Sequence, residues 1–162
     1  MPKLETLGEI QRKQMLMWPC IERKNSPWTA MKKPLSECKV ALVTTAGIHL
    51  RDDNPFRTDP NMPGGDTSFR VIPRSSSPLD IVQSHTSIAF DRTGINRDIN
   101  VTFPMDRLEE MCEQGKIGSL SAHYYSFMGA LTEVTGLIND SAPEVAKRLM
   151  EEEVDVVLLT PT

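Results

Sequence analysis

The sequence predicts an α/β layered domain with a largely parallel sheet, left incomplete at its C-terminal side. Three observations carry that expectation. The runs Cys38-Lys-Val-Ala-Leu-Val-Thr44 and Val154-Asp-Val-Val-Leu-Leu-Thr160 have the near-continuous Val/Leu composition of parallel strands covered on both faces. A helical stretch leads into the second run, and alternation of helix with strand is the pattern of a layered α/β domain. After that last strand, no further helix follows in the 162 residues to cover the sheet.

Residues 1–37 read as a separate N-terminal helix and extended arm. Leu4, Leu7 and Ile10 recur at helical spacing, and Met15-Leu-Met-Trp18 adds an apolar patch before Pro19. Ser26-Pro-Trp28 and Lys32-Lys-Pro34 then interrupt regular structure, and the two tryptophans beside prolines suit packing anchors. Residues 38–162 form the α/β domain proper. Its first strand runs into Thr45-Ala-Gly47-Ile-His49, where Gly47 permits a tight turn and a strand-end loop of the kind that faces ligands. Residues 51–65 are loop, rich in Asp, Asn and Pro. Asp66-Thr-Ser-Phe-Arg-Val-Ile72 reads as a short strand ended by Pro73, and residues 79–82 as a brief helix or strand. Asp106-Arg-Leu-Glu109 approximates a capping box for a helix with Leu108, Met111 and Cys112 on one face and Gly115 as its stop. Ser141-Ala-Pro143-Glu144 offers a cap, an early proline and a first-turn acid for a second helix, whose apolar stripe is Val145, Leu149 and Met150.

Composition narrows the function classes. With 25% charged residues of both signs and a net charge of -4, the chain has no basic footprint for nucleic acid. No apolar run approaches the ~20 residues that span a bilayer, and Met1-Pro-Lys-Leu-Glu is no signal peptide, so a cytoplasmic protein is expected. Cys20, Cys38 and Cys112 are odd in number and unpaired in spacing, which fits ordinary thiols and neither a disulfide framework nor a zinc site. Both G-x-G-x-x-G and the P-loop are absent.

The densest polar segment runs from Ser84-His85 through Asp91, Gly94, Asn96, Asp98 and Asn100 to Phe103-Pro104. On composition it reads first as an irregular loop stitched by Asx and Ser turns, and second as a cluster that orients a substrate's amine or carboxylate. Adjacent Ser84 and His85 are poorly placed to act as nucleophile and base with Asp91, and no G-x-S-x-G elbow exists. His49, His85 and His123 lack metal-ligand spacing, so no metal is assigned. His123-Tyr-Tyr-Ser-Phe-Met-Gly129 is chiefly core packing with polar tips.

Several ordered blocks resemble a known family. Pro34-Leu-Ser-Glu-Cys-Lys-Val-Ala-Leu-Val-Thr-Thr-Ala-Gly-Ile-His49, Gly65-Asp-Thr-Ser-Phe-Arg-Val-Ile-Pro73, Ser84-His85, Asp98-Ile-Asn100, Phe103-Pro104, the block from Gly115 to Gly118, His123 to Gly129 and the closing strand are similar to the selenoprotein B family of glycine, sarcosine, betaine and D-proline reductases. Trp28-Thr with its lysine-proline arm is nearest the small selenocysteine-bearing subunits that act on D-proline, whereas Ala122-His-Tyr-Tyr-Ser-Phe is nearer the glycine-type members.

The resemblance implies reductive cleavage of a C–N bond next to a carboxylate. In the family, a strand ending like Leu158-Leu-Thr-Pro-Thr162 delivers selenocysteine or cysteine, two spacers and a second cysteine. This chain is therefore expected to be the front part of a longer selenoprotein, cut at a UGA codon after Thr162 and inactive by itself. Such a nucleophile works as its anion, which unpaired N–H groups and a helix dipole past a strand end would favour. The resemblance places no cofactor on this chain and a pyruvoyl group on a partner subunit of the reductase complex. By their chemistry, His85 (proton donor or orienter) and Asp98 are the catalytic candidates. Thr45, His49, Asn100 and His123 are the substrate-binding candidates, with Thr44 lining the same strand end. Two alternatives stand beside this: a non-catalytic α/β binding or scaffold subunit complete at Thr162, and a small enzyme using the loop from His85 to Asn100 alone.

Overall fold

The computed structural model describes residues 3–17, 29–59, 64–87, 90 and 92–162. The anchor residues expected at Trp18, Pro19 and 26–28, together with Cys20 and Asp91, lie outside them. The chain divides into two compact units, Met1–Ala30 and Met31–Thr162. In the first, a short turn at Leu4–Thr6 precedes helix α1 (Glu9–Met17), whose Ile10, Leu16 and Met17 are exposed. Residues 33–37 belong with the second unit, where Lys33 pairs with Asp155 at 2.7 Å and Cys38 Sγ donates to the Pro34 carbonyl.

The second unit is an α/β domain built on a mostly parallel sheet. Strand β1 (Lys39–Thr44) is central. Along one side it pairs in parallel with β5 (Ser119–Leu120) and, further on, with β6 (His123–Phe127). Along the other it pairs in parallel with β7 (Val156–Thr160), from Val40↔Val156 to Thr44↔Thr160. Strand β3 (Phe69–Pro73) joins the far side of β6 antiparallel, with Pro73 as its last residue. A second ribbon, β2 (Ile48–Leu50) with β4 (Ile81–Gln83), leaves the end of β1 and was not expected as a sheet. Gly47, at φ 62°, makes that exit possible because a side chain is disfavoured there.

Alternation along β1 sends Val40 and Leu42 to one face and Ala41 and Val43 to the other. The first face packs Ile72, Phe103, Leu108, Leu120 and Tyr124; the second packs Tyr125, Phe127, Val145 and Leu149. After the short helix α2 (Arg92–Arg97), helix α3 (Met105–Glu113) covers the first face and helix α4 (Ala142–Glu151) the second. Full burial of side chains such as Leu42 or Val145 contributes roughly 1.5–3 kcal/mol each.

Several expected details are corrected. Asp106 does not cap α3; it lies inside the first turn, and its backbone N–H donates to Asn100 Oδ1 at 3.0 Å. The stop at Gly115 (φ 66°) is as expected. Ser141 does not cap α4 either, because a π-helical segment, Leu137–Ser141, already precedes it and holds Ser141 in helical φ/ψ. Its hydroxyl donates instead to the Thr67 carbonyl at 2.6 Å. Met150 is 76% exposed and leaves the apolar stripe to Val145 and Leu149. The strand β7 is not covered on both faces: Leu158 is 38% and Leu159 67% exposed, and β7 pairs only with β1 among the described residues. No described helix is long and apolar enough to cross a membrane.

Candidate functional site

Because β1, β6 and β7 run parallel, their carboxyl ends meet at one edge, the place where open α/β sheets present reactive groups. Thr44 ties this edge together. Its Oγ1 lies 3.2 Å from the carbonyls of Thr102 and Thr160 and accepts from the Ala46 N–H at 3.2 Å. Thr45 clasps Thr162: the Thr162 N–H donates to Thr45 Oγ1 at 2.9 Å, and that hydroxyl lies 3.4 Å from the Thr162 carbonyl. Gly129 lies beneath these groups. A Cβ there would come within 2.8 Å of the Thr162 carbonyl, 2.9 Å of His85 Nε2 and 3.0 Å of the Thr45 carbonyl. Only a glycine lets the three segments close this tightly.

His85 lies at the same edge. It is 3% exposed, and Phe90 lies against its ring at 4.9 Å between centroids. Nδ1 accepts a hydrogen bond from the Ser87 N–H at 3.0 Å, which places the proton of the neutral ring on Nε2. Among the described residues that Nε2–H makes no hydrogen bond of full geometry. Burial, with Arg92 assisting, lowers the His85 pKa below its ordinary 6.5; the Thr45 carbonyl opposes this weakly and lies outside hydrogen-bond geometry. The edge therefore holds a neutral donor, buried and without a full hydrogen bond among the described residues, beside the carbonyls of Thr45 and Thr162.

The remaining candidates are distributed unevenly. Thr44 and Thr45 join His85 at the edge. His49 is buried close by but internally satisfied: Nδ1–H donates to the Leu50 carbonyl at 2.7 Å, and Nε2 accepts from the Ser84 hydroxyl at 2.9 Å. Ser84 is thus spent on His49 and not on its neighbour His85. Asp98 accepts from the Asn100 backbone and side chain, both at 2.9 Å, and Asn100 Nδ2 also donates to Asp106 at 2.7 Å. The loop carrying these two reaches the edge through Thr102, while their own polar groups are engaged in holding the loop and the start of α3. Hydrogen bonding to Asn100 lowers the Asp98 pKa. His123 opens β6, at the opposite end of the strand from the edge, and pairs with Glu152 at 2.6 Å. At about 3.3 Å per residue, the six residues from there to Gly129 separate it from His85 by roughly 20 Å. Sequence reading missed Gly129 and Arg92; the first carries no signal beyond being a glycine after a strand.

No cluster among the described residues has the makings of a metal site. A family model described as glycine/sarcosine/betaine reductase selenoprotein B matches residues 18–162. The chain belongs to that family. It is 39% identical over 133 residues to the D-proline reductase subunit gamma of Acetoanaerobium sticklandii, covering 82% of this chain and 52% of that protein. It is 31% identical over 132 residues to the sarcosine reductase complex component B subunit beta of Peptoclostridium acidaminophilum, covering 80% and 29%. The glycine reductase complex component B subunit gamma of Carboxydothermus hydrogenoformans is 30% identical over 130 residues, again covering 80% and 29%. The chain thus spans about half the length of the first relative and under a third of the others. No solved structure matches it. All three relatives are named as reductase subunits or reductase complex components.

Proposed function

We propose that this chain is the portion of a D-proline reductase subunit that positions a selenolate or thiolate nucleophile just past Thr162. The observation that carries the reading is the neutral Nε2–H of His85, without a full hydrogen bond among the described residues, beside the Thr162 carbonyl. D-proline is favoured as substrate by 39% identity to the D-proline subunit, against 31% and 30% to the sarcosine and glycine components.

In this reading the chalcogen anion attacks the α-carbon and displaces the ring nitrogen; a neighbouring thiolate then attacks the chalcogen, forming a Se–S or S–S bond while the breaking carbon–chalcogen bond leaves its electron pair on the α-carbon. Two electrons pass to the substrate; carbon and nitrogen each gain a proton, and D-proline opens to 5-aminopentanoate. His85 hydrogen-bonds the anion through Nε2–H and is placed to deliver that proton. Arg92 and burial keep the ring neutral, so that it gives a directed hydrogen bond rather than a full counter-charge. Thr45 fixes the Thr162 peptide, and Gly129 allows His85 to approach it. Asp98 and Asn100 hold the adjoining loop to α3, and His49 supports Ser84 beneath it. A role for His123 in substrate binding would require a second contact surface at the far end of β6.

A pyruvoyl group on a partner subunit supplies an electron sink for the substrate amine when the complex is assembled. The working compartment in this reading is the cytoplasm, where thiols stay reduced.

The test is the purified complex containing this subunit, assayed with a dithiol for 5-aminopentanoate from D-proline, together with the transcript read past the Thr162 codon. Product from D-proline and an in-frame UGA or cysteine codon are expected. Absence of product from D-proline, glycine, sarcosine and betaine alike, or a codon other than these, overturns the proposal.

A further inference from the structure

Beside the His85 loop lies a cavity of about 350 Å³ that none of the roles above uses. Its floor is apolar: Ile48, Ile81, Ile95 and Ile99 line it and belong to or pack against the core of the first sheet face. Two cations, Arg51 and Arg92, line it as well, and among the described residues no carboxylate does. That is unusual for a chain of net charge -4. The cavities beside Asp66, beside Glu152 and beside Asp155 are each lined by acids. Among the described residues neither Arg51 nor Arg92 forms an ion pair; each spends one donor on a carbonyl, Leu79 and His85 respectively. A third group completes the lining. Gln83 donates through Nε2 to the Ala46 carbonyl at 2.9 Å, which fixes the amide and leaves Oε1 buried with no donor. An unpaired buried carbonyl oxygen carries a free-energy cost that a ligand N–H would remove.

We propose that this cavity binds a small amino acid with a compact apolar body, its carboxylate held by Arg51 and Arg92 and its amine N–H by Gln83 Oε1. The size is at the small end of ligand pockets, and the mixture of an apolar wall with a few convergent polar groups is what such sites share. Arg92 links the site to the edge, since it also donates to the His85 carbonyl at 2.8 Å. Gly47 lies between the two: a Cβ there would sit 3.4 Å from the His85 ring, and the next residue is Ile48 of the cavity floor. As the place where substrate is held for the reductase, the site rests on the function proposed above; as an amino-acid site, it stands on its own lining.

Binding to the purified 162-residue chain, followed by ligand-observed NMR or calorimetry, tests it with three probes of one ring size. D-proline is expected to bind, pyrrolidine (no carboxylate) not to bind, and cyclopentanecarboxylate (no amine) to bind several-fold more weakly. Arg51→Gln is expected to weaken D-proline about tenfold, as loss of a charge-assisted contact does. Ile95→Trp, which fills the cavity, is expected to abolish binding; Arg51→Gln lies on the surface and serves if the tryptophan variant fails to fold. Equal binding of pyrrolidine and D-proline, unchanged affinity in Arg51→Gln, or no binding of D-proline overturns the site. In the assembled complex, turnover with an unchanged KM in Arg51→Gln removes the site and leaves the reductase reading intact. Binding without turnover of any amine does the reverse.

Discussion

His49 and His85 are both buried next to the same turn, yet only one has spare chemistry. Both ring nitrogens of His49 are bonded, whereas His85 Nε2–H makes no full hydrogen bond among the described residues. In the assembled enzyme, His85→Gln is expected to reduce kcat about a hundredfold, in the range for loss of a positioned proton donor, with KM little changed. An unchanged kcat would remove His85 from the mechanism. The same ring imposes a pH dependence on stability. In the unfolded chain it takes up a proton as pH falls through its ordinary 6.5, while burial keeps it neutral in the fold to a lower pH. Its contribution is therefore complete above that value and is lost progressively as pH drops below it. Thermal melts between neutral and mildly acidic pH should show a steeper fall in Tm for the native chain than for His85→Gln. Sequence reading reached His85 through its loop and its resemblance, but it could not separate His85 from His49. That distinction depends on which backbone groups face each ring, and contacts such as Ser84 with His49 span 35 residues.

The elements were legible in kind, and their boundaries were set by forces that local pattern does not report. Helix α3 starts at Met105 because Asn100, six residues before Asp106, supplies the oxygen for its first turn. Replacing Asn100 by Ala should destabilise the domain by about 1 kcal/mol, the usual worth of a cap, seen as a lower denaturant midpoint at constant m. If Asn100 instead binds substrate, the same variant would raise KM with little effect on the midpoint. Helix α4 shows the other failure of local reading. Ser141 and Pro143 look like a start, but Glu133 already serves as one, accepting from the Thr135 N–H at 2.7 Å, and the π-helical turn carries the helix onward. The strand β3 and the β2–β4 ribbon required pairing information that a single run of residues does not hold. Gly129→Ala marks the junction of these elements. Its new methyl would meet two carbonyls and the His85 ring, and it should cost roughly 1–3 kcal/mol as an overpacking change, read as a lower denaturant midpoint.

Across the whole domain, β1 is the strand on which everything else is hung. It is paired along both sides and buried on both faces, so its central amides should be among the slowest to exchange with deuterium and open only with global unfolding. Its neighbour β7 is the opposite case, with one paired side and with Leu159 67% exposed. Edge strands with bare apolar residues invite pairing with other chains. The Leu159→Lys variant should therefore reduce self-association in light scattering while leaving the melting temperature within a degree or two, because little buried area is lost. Unchanged association would mean that this edge is not the sticky one. The parallel sheet itself was the most legible feature, since Val and Leu runs such as residues 40–43 need no alternation when both faces are covered. The exposure of β7 shows where that inference stops: composition reports what a strand suits, and not whether its covering layer is present.

The clasp of Thr45 on Thr162 has one more consequence. A single hydroxyl contacts both the N–H and the carbonyl of Thr162, two residues past β7 and across 117 residues of sequence. The direction of travel out of β7 is consequently preset, so a group attached beyond it would be steered toward the imidazole with little rotational freedom left to surrender. Rate gained through such steering is entropic in origin, and it would fade if Thr45 were exchanged for valine, a side chain of the same outline that cannot grip either group.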